Sequence, residues 1–336
     1  MKAFEIREAI GPQGLKLNPH RADRDPGPGE VKIRVRAASL NYRDLLVVKG
    51  SYRGGLPPNV VPLSDGAGDV AAVGPGVTKV KVGDRVVGAF FEDWAAGAIN
   101  AEAIARGRGG SIDGMLAEHA ILLESAVLRA PAHLSHEETA TLPCAAVTAW
   151  NALVEIGRIR AGQTVLLLGT GGVSMFALQF AKMHGARVIL TSSSDDKLKH
   201  ARSLGADEII NYKTTPEWDK VVVAATGGRG VDIVVELGGP GTLERSIRSV
   251  CAGGTVALIG VITGAGQIDP RPLISRAIRL QGVYVGSLEM FRAMNAAIEL
   301  GRLKPVIAEV FPFDKAVSAY ERLAGAAHSG KIVITI

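Results

Sequence analysis

The sequence is poor in cysteine and aromatic side chains and has no long hydrophobic run. Cys144 and Cys251 are the only cysteines among 336 residues, and no C-x-x-C pair occurs. A zinc ribbon or a disulfide framework needs closely spaced cysteines, so both are excluded. No window reaches the length that spans a membrane, and MKAFEIREAIG at the N-terminus lacks a hydrophobic signal core. We therefore expect a cytoplasmic protein in a reducing compartment.

Strong charge of either sign is also missing. The formal net charge is +5, and the basic residues are scattered rather than interleaved with aromatic side chains. This pattern disfavours nucleic acid as a partner and suits a small molecule that carries phosphate at least as well. Because 336 residues exceed what one hydrophobic core usually organises, two domains are expected.

Residues 1–125 have the sequence pattern of a strand-rich module. EVKIRVRAAS (30–39) alternates apolar and polar positions, while GDVAAVG (68–74) and GDRVVGAF (83–90) are short apolar runs beside glycine turns. The spacing predicts a small barrel or sandwich. The segment 92–114 has weak periodicity, and we interpret it as a mobile excursion.

The sequence pattern changes near residue 135. The segment 135–157 predicts a helical region opened by Ser135, with Glu138 completing a capping box and Pro143 breaking or kinking the helix. Six β-branched apolar runs follow, at 164–169, 187–192, 207–212, 231–237, 254–260 and 280–286. Helical segments such as 173–185 and 194–205 separate the first runs. Such alternation predicts an α/β fold with a doubly wound (Rossmann) parallel sheet of six strands.

The tail contains two helical patterns, at 287–303 and 314–325, and ends in an apolar strand at 330–336. Periodicity alone leaves open whether these elements extend the parallel sheet or return to the first module.

A glycine-rich turn is the strongest chemical signal. In TVLLLGTGGVSMFALQFAK (164–182), Gly169, Gly171 and Gly172 lie between a strand and a helix. This arrangement lets a pyrophosphate approach the backbone and rest at the helix N-terminus, next to Val173. Ser174 stands where the full G-x-G-x-x-G pattern has its third glycine. The alternative is a tight turn without a ligand.

The end of the next strand bears on which nucleotide would bind. NAD-binding proteins usually carry an acidic residue there, whereas this chain has VILTSSSDDK (188–197). Ser192, Ser193 and Lys197 offer hydroxyls and a cation for a 2′-phosphate, which favours NADPH. Asp195 and Asp196 argue for NADH, but carboxylates also suit the first turn of a helix. The serines as a helix cap alone remain an alternative.

The chain resembles the medium-chain dehydrogenase/reductase superfamily, and within it the zinc-free quinone oxidoreductase branch. The resemblance runs nearly end to end, through ASLNYRDLLVVKGSY (37–51), VPLSDGAGDVAAVGPGV (61–77), KVGDRVVG (81–88), LPCAAVTAWNAL (142–153), LGADEIINY (204–212) and GKIVITI (330–336). It implies a mostly β, GroES-like catalytic domain in two parts, 1–122 and 265–336, around a dinucleotide-binding domain at 123–264. It also implies a homodimer joined through the last strand of the nucleotide sheet, which we assign to TVALIGVI (255–262).

Zinc-dependent relatives hold their catalytic metal at positions that map here to Asn41, to Ser64 with Asp65, and to Cys144. Only Cys144 keeps its type, and one thiolate is too few for a zinc that takes three or four protein ligands. The cysteines of the structural zinc are also missing from 92–114. We therefore expect no metal.

Without a metal to polarise an oxygen, hydride from NADPH needs an electron-poor acceptor, such as a quinone or an α,β-unsaturated carbonyl compound. The resemblance places Asn41 and Tyr42 at the acceptor, where each can donate to its oxygen; for Tyr42, packing is an equal alternative. Asp65 is the third candidate catalytic residue: it is expected in a hydrogen-bond network with Arg43 or Arg53, or in a proton path, and direct catalysis is the alternative. Arg43 and Asp44 are expected to form a structural ion pair or to anchor loops, and not to act as catalysts.

The resemblance also implies the remaining cofactor contacts: Thr148, Tyr212, Gly238, Gly260, Val261, Val285 and Gly286. Tyr212 has an alternative role as a cover at the edge of the adenine pocket. Two other functions stay open. One is an NADPH-binding protein with a structural or regulatory role and little turnover. The other, a zinc-dependent alcohol dehydrogenase, is disfavoured because its ligands are missing.

Overall fold

The computed structural model describes residues 1–52, 55–260 and 262–336. Its strands in chain order are β1 (Ala3–Ile6), β2 (Leu15–Asn18), β3 (Glu30–Leu40), β4 (Asp65–Val73), β5 (Arg85–Gly88), β6 (His119–Leu123), β7 (Val127–Arg129), β8 (Thr164–Leu168), β9 (Arg187–Ser192), β10 (Glu208–Asn211), β11 (Val231–Glu236), β12 (Val250–Leu258), β13 (Arg279–Gly282), β14 (Ile307–Pro312) and β15 (Lys331–Thr335).

The α-helices are α1 (Tyr42–Val48), α2 (Ala101–Ala105), α3 (His136–Ala140), α4 (Val147–Trp150), α5 (Gly172–Met183), α6 (Asp195–Ser203), α7 (Trp218–Ala225), α8 (Pro240–Ser249), α9 (Arg271–Ser275), α10 (Leu288–Leu300) and α11 (Ala316–Ala324). Within the described ranges, no helix has the length and apolar character needed to cross a membrane.

The chain divides into two compact units, one formed by Met1–Val147 with Ser287–Ile336 and the other by Thr148–Gly286. The first unit contains a seven-stranded sheet in which β14, β15, β3, β4, β5 and β7 are neighbours in that order and β6 pairs with β3. The C-terminal strand β15 runs antiparallel to β3, so the tail belongs to the first module. This answers the question that periodicity left open.

The second unit is the predicted doubly wound domain. Its six strands are all parallel in the order β10-β9-β8-β11-β12-β13. Counted from β8, this is the order 3-2-1-4-5-6 of dinucleotide-binding sheets. The central strand β8 is buried along its whole length, which explains why its sequence is a continuous apolar run instead of an alternating one.

The units differ from the domain boundaries predicted at 122/123 and 264/265. The structure places the divisions after Val147 and after Gly286. At the first, β7 pairs with β5 in the seven-stranded sheet, so residues just beyond 122 belong to the first unit. At the second, β13 pairs with β12 and extends the nucleotide sheet beyond residue 264. Strand pairing, which composition does not reveal, thus assigns β7 to the first unit and β13 to the second.

The assignment of 255–262 as the last strand of that sheet is wrong. Strand β12 has a partner on each side, β11 and β13, so β13 is the strand at this edge. The short run Arg279–Gly282 is mostly exposed. It overlaps the apolar run at 280–286 from which a sixth strand is predicted, so the sequence indicated the strand but not that it lies at this edge of the sheet.

Two local predictions had different outcomes. Ser135 and Glu138 form the predicted capping box at the start of α3, and Pro143 lies in a π-helical segment, Leu142–Ala146, after that helix has ended. The segment 92–114 is more ordered in its packing than its weak periodicity suggested. It contains α2 and a buried ion pair between Glu92 and Arg108, the latter 2% exposed.

Candidate functional site

The glycine turn of the second unit has the geometry of a phosphate cradle. Gly169 has φ +77°, a left-handed conformation that favours glycine, and α5 starts directly after Gly171. A Cβ placed on Gly169 or Gly171 would meet no atom within 4 Å, so there is open space at the turn. The first N–H groups of a helix have no partner within the helix, and they offer donors to an anion.

Ser174 shows why its departure from the glycine pattern is tolerated. The side chain is fully buried, and its hydroxyl donates to the backbone oxygen of Leu168 at 2.7 Å. The serine thus ties the first turn of α5 to the end of β8, which is the close helix–strand packing that a third glycine provides elsewhere.

The end of β9 carries the hydroxyl-rich segment expected at the ribose. Ser192 is buried, whereas Ser193 and Lys197 are half-buried. Ser194 occupies the N-cap of α6, and its side chain makes no capping hydrogen bond within the described part of the chain. Asp195 accepts from Asn211 at 2.7 Å and, with Asp196, lies in the first turn of α6. Tyr212, directly after β10, is 41% exposed.

A buried carboxylate organises the loop that contains Gly238. One oxygen of Glu236 accepts from the backbone N–H groups of Gly238 and Gly239 at 2.7 and 3.0 Å, and the other accepts from Ser246. A Cβ on Gly260 would lie 1.9 Å from the backbone oxygen of Leu237, so close packing of two loops requires glycine there. The predicted contact Val261 lies outside the described residues.

Two further predicted contacts lie at the ends of the second unit. Thr148 is 3% exposed at its beginning. Val285, just before Gly286 at its end, is a buried β-branched residue with φ +56°, a strained conformation for such a side chain. The amide of Asn151 donates to the Val285 backbone oxygen at 2.8 Å and holds the strained residue in place.

In the first unit, Asn41 forms the N-cap of α1. The backbone N–H of Asn41 donates to Asp44 at 2.7 Å, and its side-chain oxygen accepts from the Lys331 ammonium at 2.5 Å. The other end of the amide, Nδ2, is buried and has no hydrogen-bond partner among the described residues. Tyr42, the first residue of the helix, is 46% exposed.

Asp65 lies in a closed hydrogen-bond network. Its side chain is fully buried, and Ser64 donates to one carboxylate oxygen at 2.7 Å. Ser39 and Lys331 donate to the other at 3.3 and 3.4 Å. The structure therefore pairs Asp65 with Lys331 instead of Arg43, and Arg53 lies outside the described residues.

Arg43 and Asp44 form the predicted ion pair, at 3.3 Å. The guanidinium also lies over the rings of Tyr52 and Phe90, 4.6 and 4.7 Å from their centroids, and donates to the backbone oxygen of Arg108. Burial raises the pKa of Asp44 to about 6, against the opposing effect of the Arg43 charge.

The residues at the positions of a catalytic zinc do not fit the metal. A buried ammonium, Lys331, contacts both Asn41 and Asp65, where a cation would have to bind. Burial, helped by the Asp65 charge, raises the pKa of the Cys144 thiol, which opposes the thiolate form that zinc requires. Across the part of the chain that the structure describes, no three histidine, cysteine or carboxylate side chains form a group suited to a metal.

Sequence reasoning missed Lys331 and Asn151. Lys331 opens the otherwise apolar strand KIVITI, and a lysine within a buried strand is itself a signal that a partner must exist. Asn151 lies in a π-helical segment, Asn151–Ile156, whose sequence resembles an ordinary helix. Neither partner was predictable, because Lys331 and Asn41 are 290 positions apart and Asn151 and Val285 are 134 apart.

Comparisons with known proteins agree with this geometry. A family model described as the alcohol dehydrogenase GroES-like domain matches residues 27–132, and one described as zinc-binding dehydrogenase matches residues 172–300. A zinc-type alcohol dehydrogenase-like protein of Schizosaccharomyces pombe is 44% identical over 98% of this chain and 97% of its own. Quinone oxidoreductase of Rattus norvegicus is 30% identical over 100% and 98%.

Among solved structures, the 2-octenoyl-CoA carboxylase reductase CinF, in complex with NADP and 2-octenoyl-CoA, superposes with a TM-score of 0.90. It is 27% identical and covers 99% of this chain and 87% of its own.

The sheet order and the glycine turn define a dinucleotide-binding α/β protein with a second, mostly β module. The length and identity of the matches make the assignment specific. The chain belongs to the medium-chain dehydrogenase/reductase superfamily of oxidoreductases.

Proposed function

We propose that the protein transfers hydride from NADPH to a quinone or an α,β-unsaturated carbonyl compound without a metal. The observation that carries the proposal is the network at the positions that correspond to the metal ligands of zinc-dependent relatives. There Lys331 and Asp65 neutralise each other, and the Asn41 amide presents an N–H donor that has no partner among the described residues. A neutral donor suits an acceptor that becomes an oxyanion only as hydride arrives.

The overall reaction balances as NADPH plus acceptor plus one proton, giving NADP⁺ and the reduced acceptor. For an unsaturated carbonyl compound, hydride adds to the β-carbon and the electron pair of the double bond shifts toward the carbonyl oxygen. Asn41 Nδ2 donates to that oxygen, and the α-carbon then takes a proton from water. A quinone accepts hydride in the same sense and is protonated to the hydroquinone.

The residues of the second unit fit the nicotinamide cofactor. Gly169, Gly171, Gly172 and Val173 would hold the pyrophosphate at the start of α5, where the open space at the turn leaves room for it. Ser192, Ser193 and Lys197 would hold the 2′-phosphate, with Tyr212 beside the adenine. The bound cofactor supplies the hydride. The CinF structure contains NADP and an unsaturated thioester, which supports the same chemistry here.

Two predicted residues of the first unit, Tyr42 and Asp65, have modest roles in this proposal. Tyr42, half exposed at the start of α1, contacts the acceptor. Asp65 supports the site through its network instead of acting on the substrate, because it is fully buried and both its oxygens already accept hydrogen bonds. In the second unit, Thr148, Gly238, Gly260, Val285 and Gly286 would contact the cofactor.

The test compares kcat/KM for NADPH and NADH with a panel of quinones, enones and enoyl thioesters. We expect NADPH to be preferred by about tenfold or more, since one charge-assisted phosphate contact contributes roughly 1.4 kcal/mol or more. Lys197→Met should lower kcat/KM for NADPH and leave NADH unchanged. Lys199→Met, on the same helix but with its side chain 77% exposed, is the matched control.

Three results would count against the proposal. Equal rates with the two cofactors would remove the 2′-phosphate assignment. Activity that disappears with a chelator and returns with zinc would restore the metal-dependent alternative. Tight NADPH binding without reduction of any acceptor would favour a binding protein with a structural or regulatory role.

A further inference from the structure

Lys331 is a buried lysine to which the proposed chemistry gives only the role of balancing the charge of Asp65. It is 3% exposed, at the start of the C-terminal strand β15. Its ammonium donates to the Leu40 backbone oxygen at 2.6 Å, to Asn41 Oδ1 at 2.5 Å and to Asp65 at 3.4 Å. An ammonium has three donors and no acceptor, so these three contacts use all of its hydrogen-bonding capacity.

The contact with Asn41 decides which way the side-chain amide points. Because an ammonium can only donate, the amide must present its oxygen to Lys331 and its NH₂ group to the opposite side. The Nδ2 atom on that side is buried and has no partner among the described residues. A buried donor without a partner is costly, and its presence is explained if a ligand supplies the acceptor.

The surrounding residues keep Lys331 in this position. Asp65, fully buried, balances its charge and is itself held by Ser39 and Ser64. The backbone of Asn41 is fixed separately, by its hydrogen bond to Asp44 at 2.7 Å. Asn41 is thus held at two points, and only its Nδ2 group remains available.

We propose that Lys331 is a positioning residue for the reduction of the acceptor. By holding Asn41 Oδ1, it fixes the amide with Nδ2 directed to the acceptor oxygen, and its charge polarises the amide so that the N–H becomes a stronger donor. The hydrogen bond from Asn41 becomes stronger as negative charge develops on the acceptor oxygen. Lys331 therefore stabilises the transition state more than it stabilises the bound substrate. This inference rests on the proposed function, in which Asn41 donates to the acceptor.

The experiment is a double-mutant cycle with Lys331→Met and Asn41→Ala, read as kcat and KM with NADPH and a reducible acceptor. Asn41→Ala should lower kcat by about a hundredfold, the effect of removing one oxyanion donor. Lys331→Met should lower kcat by about tenfold or more in the wild-type background and by less than about twofold in the Asn41→Ala background. The Kd for NADPH should stay unchanged in both.

Lys331→Arg provides the conservative comparison, because it retains a cationic donor for Asn41 Oδ1 and should recover most of the kcat lost in Lys331→Met. Thermal unfolding of each variant separates folding from catalysis. If the uncompensated Asp65 prevents Lys331→Met from folding, the cycle is run with Asp65→Asn as its reference and Lys331→Met/Asp65→Asn as the variant.

The outcomes separate the two hypotheses. A Lys331→Met loss of equal size in both backgrounds shows a general structural role and overturns the positioning proposal, as does an unchanged kcat in the wild-type background. Full activity of Asn41→Ala overturns the role of Asn41 in the proposed function and the positioning role with it.

Discussion

Four ionisable side chains of the first unit share one buried region, Arg43 with Asp44 and Lys331 with Asp65. The two cations and two anions balance, which is the condition for keeping charge away from water. Removing one member of such a pair leaves an uncompensated charge and typically costs about 3–5 kcal/mol. The region is therefore specified by pairs, and single substitutions within it need a matched partner to be interpreted.

Asp44 makes stability depend on pH at the scale of one residue. Its pKa rises on folding from 3.8 to about 6, because burial disfavours the carboxylate. Protonated Asp44 therefore contributes to the free energy of unfolding below about pH 4. This contribution is lost as the pH rises through about 6, a change on the order of 1–3 kcal/mol. The difference in unfolding free energy between wild type and Asp44→Asn, measured with denaturant from pH 4 to 7, should shift by this amount in favour of the variant.

A surface carboxylate provides the control for that measurement. Asp196→Asn removes a side chain that is 92% exposed, and the same comparison should change little over this pH range. A difference for Asp44→Asn that is independent of pH, or that moves in favour of wild type as the pH rises, would contradict the assignment.

At the scale of elements, a substitution in the turn between β8 and α5 can test cofactor binding separately from the stability of the fold. Gly171 has φ −73° and open space around its Cβ position, so Gly171→Ala should fold normally. The added methyl would occupy the space proposed for the pyrophosphate and raise the Kd for NADPH by about tenfold or more. Fluorescence titration with NADPH and thermal unfolding measure the two effects.

Two other glycines complete this comparison. Gly325 has φ −66° at the end of α11 in the first unit, and Gly325→Ala should change neither property. Gly169→Ala forces an alanine into the left-handed region and should also destabilise the fold, by about 1–2 kcal/mol. Unchanged NADPH affinity in Gly171→Ala would show that the cofactor does not approach this turn.

At the scale of the whole molecule, the edge of the nucleotide sheet bears on assembly. Strand β13 pairs with β12 on one side and ends the sheet on the other. Ile274, in the helix before it, is 82% exposed. Unpaired edges invite pairing with another strand, and a second copy of the same edge is the partner that two-fold symmetry supplies. We propose that two copies of the chain form a homodimer by pairing through β13, in place of the segment 255–262.

Gln281→Lys tests this assembly. Residue 281 is exposed on β13, and a lysine on each of two apposed edges would bring like charges together. Sedimentation velocity should show about twice the chain mass of 35.1 kDa for wild type and a shift toward monomer for the variant. Gln13→Lys adds the same charge at an exposed position of the first unit and should leave the mass unchanged. A monomeric wild type would exclude the dimer.

The sequence by itself determined the elements whose signals are local. The apolar runs of β8 and β9, the capping box at Ser135 and the glycine turn each depend on residues a few positions apart, so their patterns were readable. The adjacent charges of Arg43 and Asp44 likewise indicated their ion pair, and the resemblance to a family indicated the return of the tail; the structure shows both.

Only the tertiary structure decided which distant residues meet. It placed the division of the units after Val147 and Gly286, put β13 at the sheet edge and brought Lys331 to Asn41 across 290 positions. The physical reason is that strand pairing and burial of charge depend on all partners at once. A lysine in an apolar strand predicts that an anion and hydrogen-bond acceptors lie close to it, but only the folded structure shows which residues supply them.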